Sequence, residues 1–116
     1  MMAANLSVLF VCSMNQWRSP TAEQIYRDHP AVNSRSAGTN KGARRAVTPE
    51  LLEWADLVLV MEQKHLKRLR EQFPDSMQSK PAAVLDIPDL YRYMDPNLIR
   101  ELQSSVDPIL EQALQA

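Results

Sequence analysis

Residues Leu6 to Val11 form a largely apolar run, Cys12 follows it directly, and Arg18-Ser19-Pro20 stands six residues beyond Cys12, ahead of Thr21-Ala22-Glu23. The run has the length and side chains of a buried parallel strand, and Ser-Pro followed by Thr, Ala and Glu carries the signals of a helix start. The chain is thereby committed early to a strand, a tight loop and a helix. Backbone N–H groups of Ser13, Met14, Asn15, Gln16 and Trp17, together with the partial positive charge of the helix start, suit such a loop to cradle a phosphate-like dianion. The same field acts on the only cysteine of the chain, Cys12. A free thiol near ~8.5 can fall to roughly 3.5–7.5 in such surroundings, so a thiolate is expected. Arg18 closes the loop with a planar fork for phosphate oxygens. A lone cysteine is more often a small buried hydrophobe, yet this spacing between strand and helix favours a nucleophile. Thiolate, cradle and fork together describe phosphoryl transfer through a cysteinyl-phosphate.

Further along, apolar runs alternate with amphipathic stretches, the pattern of βαβ units around a mostly parallel sheet. The first helix is expected over Ser19 to Asp28, ended by His29-Pro30. A weak strand follows at Val32 to Ala37 and closes at Gly38, and Thr39 to Val47 reads as a polar, basic loop. Thr48-Pro49-Glu50 is a cap followed by proline, starting a short helix through Trp54. Leu57 to Met61 predicts a strand, Glu62 to Phe73 a charged helix ended by Pro74, and Ala82 to Leu85 a fourth strand. Asp95-Pro96 and Asp107-Pro108 repeat the cap-then-proline signal, so the tail reads as two helical segments or one kinked helix. Leu98, Leu102, Val106, Ile109, Leu110 and Leu114 give that tail an apolar face.

With 116 residues, 45% of them hydrophobic, the chain is expected to form one domain, residues 1–116. Thirteen basic residues against fourteen acidic ones leave a net charge of −1, so no global field favours nucleic acid or an anionic membrane. Met1-Met2-Ala3-Ala4-Asn5 carries no basic segment ahead of its apolar run, and no stretch is long enough to cross a bilayer. One cysteine makes no intramolecular disulfide, which fits a reducing compartment. A cytoplasmic location is the expectation.

Val8-Leu9-Phe10-Val11-Cys12, then Asn15, then Arg18-Ser19-Pro20-Thr21-Ala22-Glu23 resembles the signature of the low-molecular-weight protein tyrosine phosphatases. Ser36-Ala37-Gly38-Thr39, Ala55-Asp56-Leu57-Val58-Leu59-Val60-Met61 and Asp86-Ile87-Pro88-Asp89 with Tyr91 resemble further landmarks in the family's order. With an internal shortening, the likeness covers nearly the whole chain. It implies a doubly wound α/β fold with a four-stranded parallel sheet, helices on both faces and the phosphate-binding loop after the first strand. It also implies no metal and no organic cofactor, Cys12 as nucleophile, Arg18 as phosphate clamp and Asp89 as general acid. Ligands of an open parallel sheet collect at the carboxyl ends of its strands, where Cys12 to Arg18 and the loop Asp86 to Asp95 both belong. There Asp89 protonates the leaving oxygen and then deprotonates the attacking water. Its competitors have other uses: Asp95 as a helix cap, Asp86 as an anchor accepting backbone N–H bonds. The alternative for Asp89 is an ordinary turn residue after Pro88, and the acid role is the reading favoured.

Asn15 is suited to a left-handed backbone that holds the cradle open, and Ser19 to donating to the thiolate while capping the helix; either role is equally served by structure alone. Ser36 matches a family serine that orients the cradle asparagine, or simply satisfies a turn. Tyr91 and Tyr93 match tyrosines that wall the mouth, or pack along the tail. His29 and His65 show no pattern for metal or triad chemistry and read as solvated. Arg44-Arg45 reads as a solvated basic loop, with steering of anions as the alternative. Departures from the family are Met14 in place of a glycine, Trp17 in place of a second cysteine, and Leu90 in place of the proline after the acid. The segment Thr39 to Thr48 is short, and a family histidine that belongs near Gly42 is missing. The expected activity is hydrolysis of phosphomonoesters, on a phosphorylated protein or a small phosphate ester. The alternatives are a non-catalytic module that binds phosphorylated partners, and an arsenate reductase dependent on an external thiol.

Overall fold

The computed structural model describes residues 5–115; Met1 to Ala4, part of the segment read above as lacking a basic leader, lie outside the described residues. Four parallel strands, β1 (Leu6–Cys12), β2 (Val32–Gly38), β3 (Leu57–Val60) and β4 (Ala82–Val84), form one sheet in the order β2-β1-β3-β4. Five helices connect and follow them: α1 (Arg18–Ile25), α2 (Pro49–Trp54), α3 (Gln63–Gln72), α4 (Pro74–Met77) and α5 (Pro96–Gln115). The strand alternation of β1 divides the core in two. Val8, Phe10 and Cys12 face Ala22 of α1, Tyr26 just beyond its end, and Leu98, Leu102, Val106 and Leu110 of α5. Leu9 and Val11 face Leu52 of α2, Leu66 and Leu69 of α3 and Met77 of α4. Helices therefore cover both faces, the doubly wound arrangement. Each fully buried aliphatic or aromatic side chain contributes roughly 1.5–3 kcal/mol, so β1, buried from Val8 to Cys12, is the centre of both halves.

The strand order reverses direction at β1, because β2 lies on one side of it and β3 on the other. The crevice beyond the carboxyl ends of β1 and β3 is thus the switch point where ligands of such sheets bind. Thr48 caps α2 as its sequence predicts, its hydroxyl accepting the Leu51 N–H at 3.2 Å with Pro49 at the first helical position. Asp95 likewise accepts the Asn97 N–H at 2.8 Å ahead of Pro96.

Two expectations are corrected. α1 ends at Ile25 with Tyr26 as its C-cap, short of Asp28. Pro74 does not merely stop the charged helix; it opens the short α4, with Phe73 shared between the two ends. Of the two readings of the tail, one helix rather than two segments is found, 20 residues long with Pro108 inside it. Asp107 caps nothing there, because its carboxylate accepts the Tyr26 hydroxyl at 2.5 Å and ties α5 to α1.

Candidate active site

Cys12 ends the central strand with 3% exposure, and its Sγ lies 3.0 Å from the Ser19 hydroxyl. The loop that follows is shaped from outside by the short segment after β2. Thr39 N–H donates to the Cys12 carbonyl at 2.9 Å, Asn40 N–H to that of Ser13 at 3.0 Å, and Arg44 N–H to that of Met14 at 3.1 Å. All peptide bonds described are trans. In a trans peptide the N–H points opposite to the C=O, so the outward carbonyls turn the N–H groups of Ser13, Met14 and Asn15 inward. None of the N–H groups from Ser13 to Trp17 is given to a protein acceptor among the described residues. A run of unspent donors curled around a sulfur is an anion nest.

Asn15 makes the turn, with φ 55 in the left-handed region. Its side-chain amide donates to Ser19 at 3.0 Å and to Ser36 at 2.9 Å, and Ser36 in turn donates to the Glu23 carboxylate at 2.5 Å. Glu23 therefore ends the hydrogen-bond chain beneath Asn15 in this chain, which has no histidine near Gly42. Ser19 does not cap α1: Trp17 holds the N-cap position and Ser19 is already helical. Met14 fits because it needs no left-handed backbone and its side chain turns outward, its sulfur accepting from the Asn40 amide at 3.1 Å.

Arg18 is 2% exposed. Its Nη1 donates to Glu62 Oε2 at 2.5 Å and to the Ile87 carbonyl at 2.9 Å, which uses both hydrogens of that nitrogen. Nε and Nη2, on the other edge of the guanidinium, donate to no protein acceptor among the described residues. The Arg18 hydrogen bond holds the Glu62 carboxyl below its ordinary range. Asp89 lies across the opening with Oδ1 3.6 Å from Arg18 Nε. Cys12, Ser13, Met14, Gln16, Trp17, Arg18 and Asp89 together enclose a small cavity of about 50 Å³.

The loop bearing Asp89 is fastened at both ends in spite of Leu90. Ile87 N–H donates to the Met61 carbonyl at 2.8 Å, Met94 N–H to the Thr21 hydroxyl at 2.9 Å, and the Arg92 guanidinium sits 5.6 Å from the Trp17 ring centroid. Asp86 does not anchor this loop through its carboxylate; it is exposed and turns the chain with φ 57. Tyr91 does not wall the cradle either. It packs against the α1 and α5 side of the core, and a hydrogen bond from its hydroxyl to Glu101 raises its pKa. Tyr93, half exposed, instead reaches a second cavity of about 460 Å³ with Trp17, Glu23, Arg44 and Arg45. Cys12 does not line that larger space; it lines the small cavity with Arg18 and Asp89.

Two residues beside the cradle carry no site role in the sequence analysis, where Glu62 is only a helix residue and His65 is expected to be solvated. His65 is in fact 1% exposed, its Nδ1 accepting the Glu62 N–H at 3.0 Å and its Nε2 lying 2.9 Å from the Ser13 hydroxyl. Its burial was legible in the helix period, since Leu69 four residues on shares its face. Burial first, and the Arg18 charge second, push its pKa down to about 4, so the ring is neutral near pH 7.

No protein-family model matches the chain. The low-molecular-weight protein-tyrosine-phosphatase Wzb of Escherichia coli is 31% identical over 137 aligned positions, covering 92% of this chain and 89% of the relative. That alignment is longer than the chain's 116 residues, so the relative carries internal residues that this chain lacks. A protein-arginine-phosphatase of Bacillus subtilis is 32% identical over 95 residues, covering 59% of this chain and 63% of the relative. The crystal structure of Escherichia coli Wzb with phosphate superposes with a TM-score of 0.73 at 25% identity, covering 91% of this chain and 96% of that one. The arginine phosphatase YwlE of Geobacillus stearothermophilus gives 0.72 at 22% identity over 95% and 94% of the two chains.

Proposed function

We propose how this protein works from a plain premise: the chain belongs to the low-molecular-weight protein tyrosine phosphatase family, and it is a cysteine-dependent protein phosphatase. Its substrates in our reading are phosphorylated proteins in the cytoplasm, where a reducing environment preserves a lone thiol. The Cys12 thiolate attacks phosphorus in line with the ester bond. The inward N–H groups of the loop and the Nε and Nη2 edge of Arg18 take the phosphoryl oxygens and the charge that grows on them. As the P–O bond breaks, Asp89 gives its proton to the leaving oxygen, and a cysteinyl-phosphate remains. Water then attacks phosphorus, Asp89 takes a proton from it, and inorganic phosphate and the Cys12 thiolate are released. Ser19, donating to sulfur at 3.0 Å, stabilises the thiolate both before attack and on its return.

The observation that carries this reading is the run of unspent N–H donors from Ser13 to Trp17 beside Cys12. Its test is the hydrolysis of an aryl phosphate between pH 5 and 8 in metal-free buffer. Cys12→Ser is expected to abolish turnover, and Asp89→Asn to lower it on the order of 10²-fold or more, the usual contribution of a positioned acid. Vanadate is expected to inhibit the wild type. Undiminished turnover by folded Cys12→Ser protein would refute the cysteinyl-phosphate.

A further inference from the structure

We propose that His65 is a positioning residue that locks the anion cradle to the arginine clamp, acting through the Ser13 side chain; the proposal rests on the phosphatase reading above. The hydrogen-bond roles follow from the contacts. Glu62 N–H can only donate, so His65 Nδ1 must be an acceptor, and the proton of the neutral ring sits on Nε2. Nε2–H therefore donates to Ser13 Oγ at 2.9 Å. Ser13 immediately follows the nucleophile and lines the small cavity. Its N–H is the first of the inward donors, set by the Thr39 brace on the preceding Cys12 carbonyl, while its side chain is set by His65.

The same ring holds the backbone of Glu62, whose carboxylate fixes Arg18 Nη1. One buried imidazole thus joins both halves of the phosphate grip. The cradle comes from β1, and the carboxylate that orients the arginine comes from the end of β3. Without His65 these halves still share a sheet, but the side chain after the nucleophile loses its only hydrogen-bond partner among the described residues. Ser13 Oγ accepts from the ring, which leaves its own hydrogen free to turn toward the cavity. His65 in this way aims a hydroxyl donor as well as a backbone one.

A purely structural histidine would cost stability alone, and a double-mutant cycle separates the two roles. Vanadate affinity, aryl-phosphate kcat/KM and thermal midpoint are measured for the wild type, His65→Ala, Ser13→Ala and the double variant. His65→Ala is expected to lower vanadate affinity and kcat/KM roughly tenfold, as loss of a hydrogen bond to a buried group would. In the Ser13→Ala background the same change should cost twofold or less, although the thermal midpoint falls in both. His65→Gln, whose amide nitrogen stands in for Nε2, should restore most of the lost affinity. His65→Asn, which stands in for Nδ1, should recover stability without it. Equal losses in both backgrounds, or a fall in thermal midpoint with vanadate affinity unchanged, would overturn the proposal. The Gln and Asn variants decide the question even where His65→Ala does not fold. A wild type that binds vanadate without turning over the ester would refute the catalytic reading, and the cycle is then read on affinity alone.

Discussion

Asn15 shows how much a single residue is asked to do. At φ 55 an L-residue with a Cβ costs roughly 1–2 kcal/mol, a penalty that Asn offsets by local hydrogen bonding and glycine escapes. Here the bonds are to Ser19 and Ser36, so the residue that turns the loop also aims the hydroxyl that faces sulfur. Asn15→Gly keeps the turn and loses the bonds; Asn15→Ala loses both. Both variants should lower kcat/KM on the order of tenfold, because Ser19 is no longer held. Urea unfolding should then find the Ala variant less stable than the Gly variant by about 1 kcal/mol. Equal stabilities would mean that backbone conformation is not what selects this residue. The spacing of Cys12, Asn15 and Arg18 was readable because the cradle is contiguous in the chain. Glu62 and His65 were not, because what brings them to the cradle is the pairing of β1 with β3, which no local pattern displays.

Among the elements, the short segment after β2 is the one whose importance exceeds its regularity. It binds three successive carbonyls of the loop, and it does so only because Gly38 lets it approach. A Cβ on Gly38 would stand 2.5 Å from the Ser13 carbonyl oxygen, 2.6 Å from Ala43 Cβ and 3.0 Å from Asn15 N. The requirement is close approach, since the φ of Gly38 is not positive. Gly38→Ala should destabilise the protein by about 1–3 kcal/mol, the usual range for overpacking, and depress kcat/KM as well because two of the clashing atoms belong to the cradle backbone. Unfolding and aryl-phosphate kinetics on one preparation check both; a stable, fully active variant would show that the brace is dispensable. The same scale explains one success and one failure of sequence reading. Thr48-Pro49 starts a helix as its chemistry demands, whereas Asp107-Pro108 carries the same signal and starts nothing. Pro108 lacks an N–H for the carbonyl four residues back, but Leu102, Val106 and Leu110 on either side are buried against the sheet. Tertiary burial outweighs the local stop, and Asp107 is taken by Tyr26 instead.

For the molecule as a whole, doubly wound topology places an arginine, a carboxylate and a neutral histidine around one crevice, and that grouping carries a cost in acid. The His65 pKa of about 4 in the folded protein lies below the ordinary 6.5, with burial as the main cause and the Arg18 charge second. Between those two values the unfolded chain binds more protons than the folded one, so stability is fully present above pH 6.5 and drains away as the pH falls toward 4. A shift of this size corresponds to up to about 3 kcal/mol, a sizeable part of the stability of a small domain. Glu62 adds to the loss in the same direction at lower pH. Its folded carboxyl is held below the ordinary value by Arg18, so the stability it contributes is present above that value and is lost as the pH falls through the folded pKa. Urea unfolding of the wild type at pH 7, 5.5 and 4.5 should therefore show a steady fall in stability. His65→Gln, which cannot take up a proton, should flatten the upper part of that slope and leave the Glu62 part in place. If its slope between pH 6.5 and 5 matches that of the wild type, the acid sensitivity arises elsewhere, and His65 does not carry the proton that unfolding takes up.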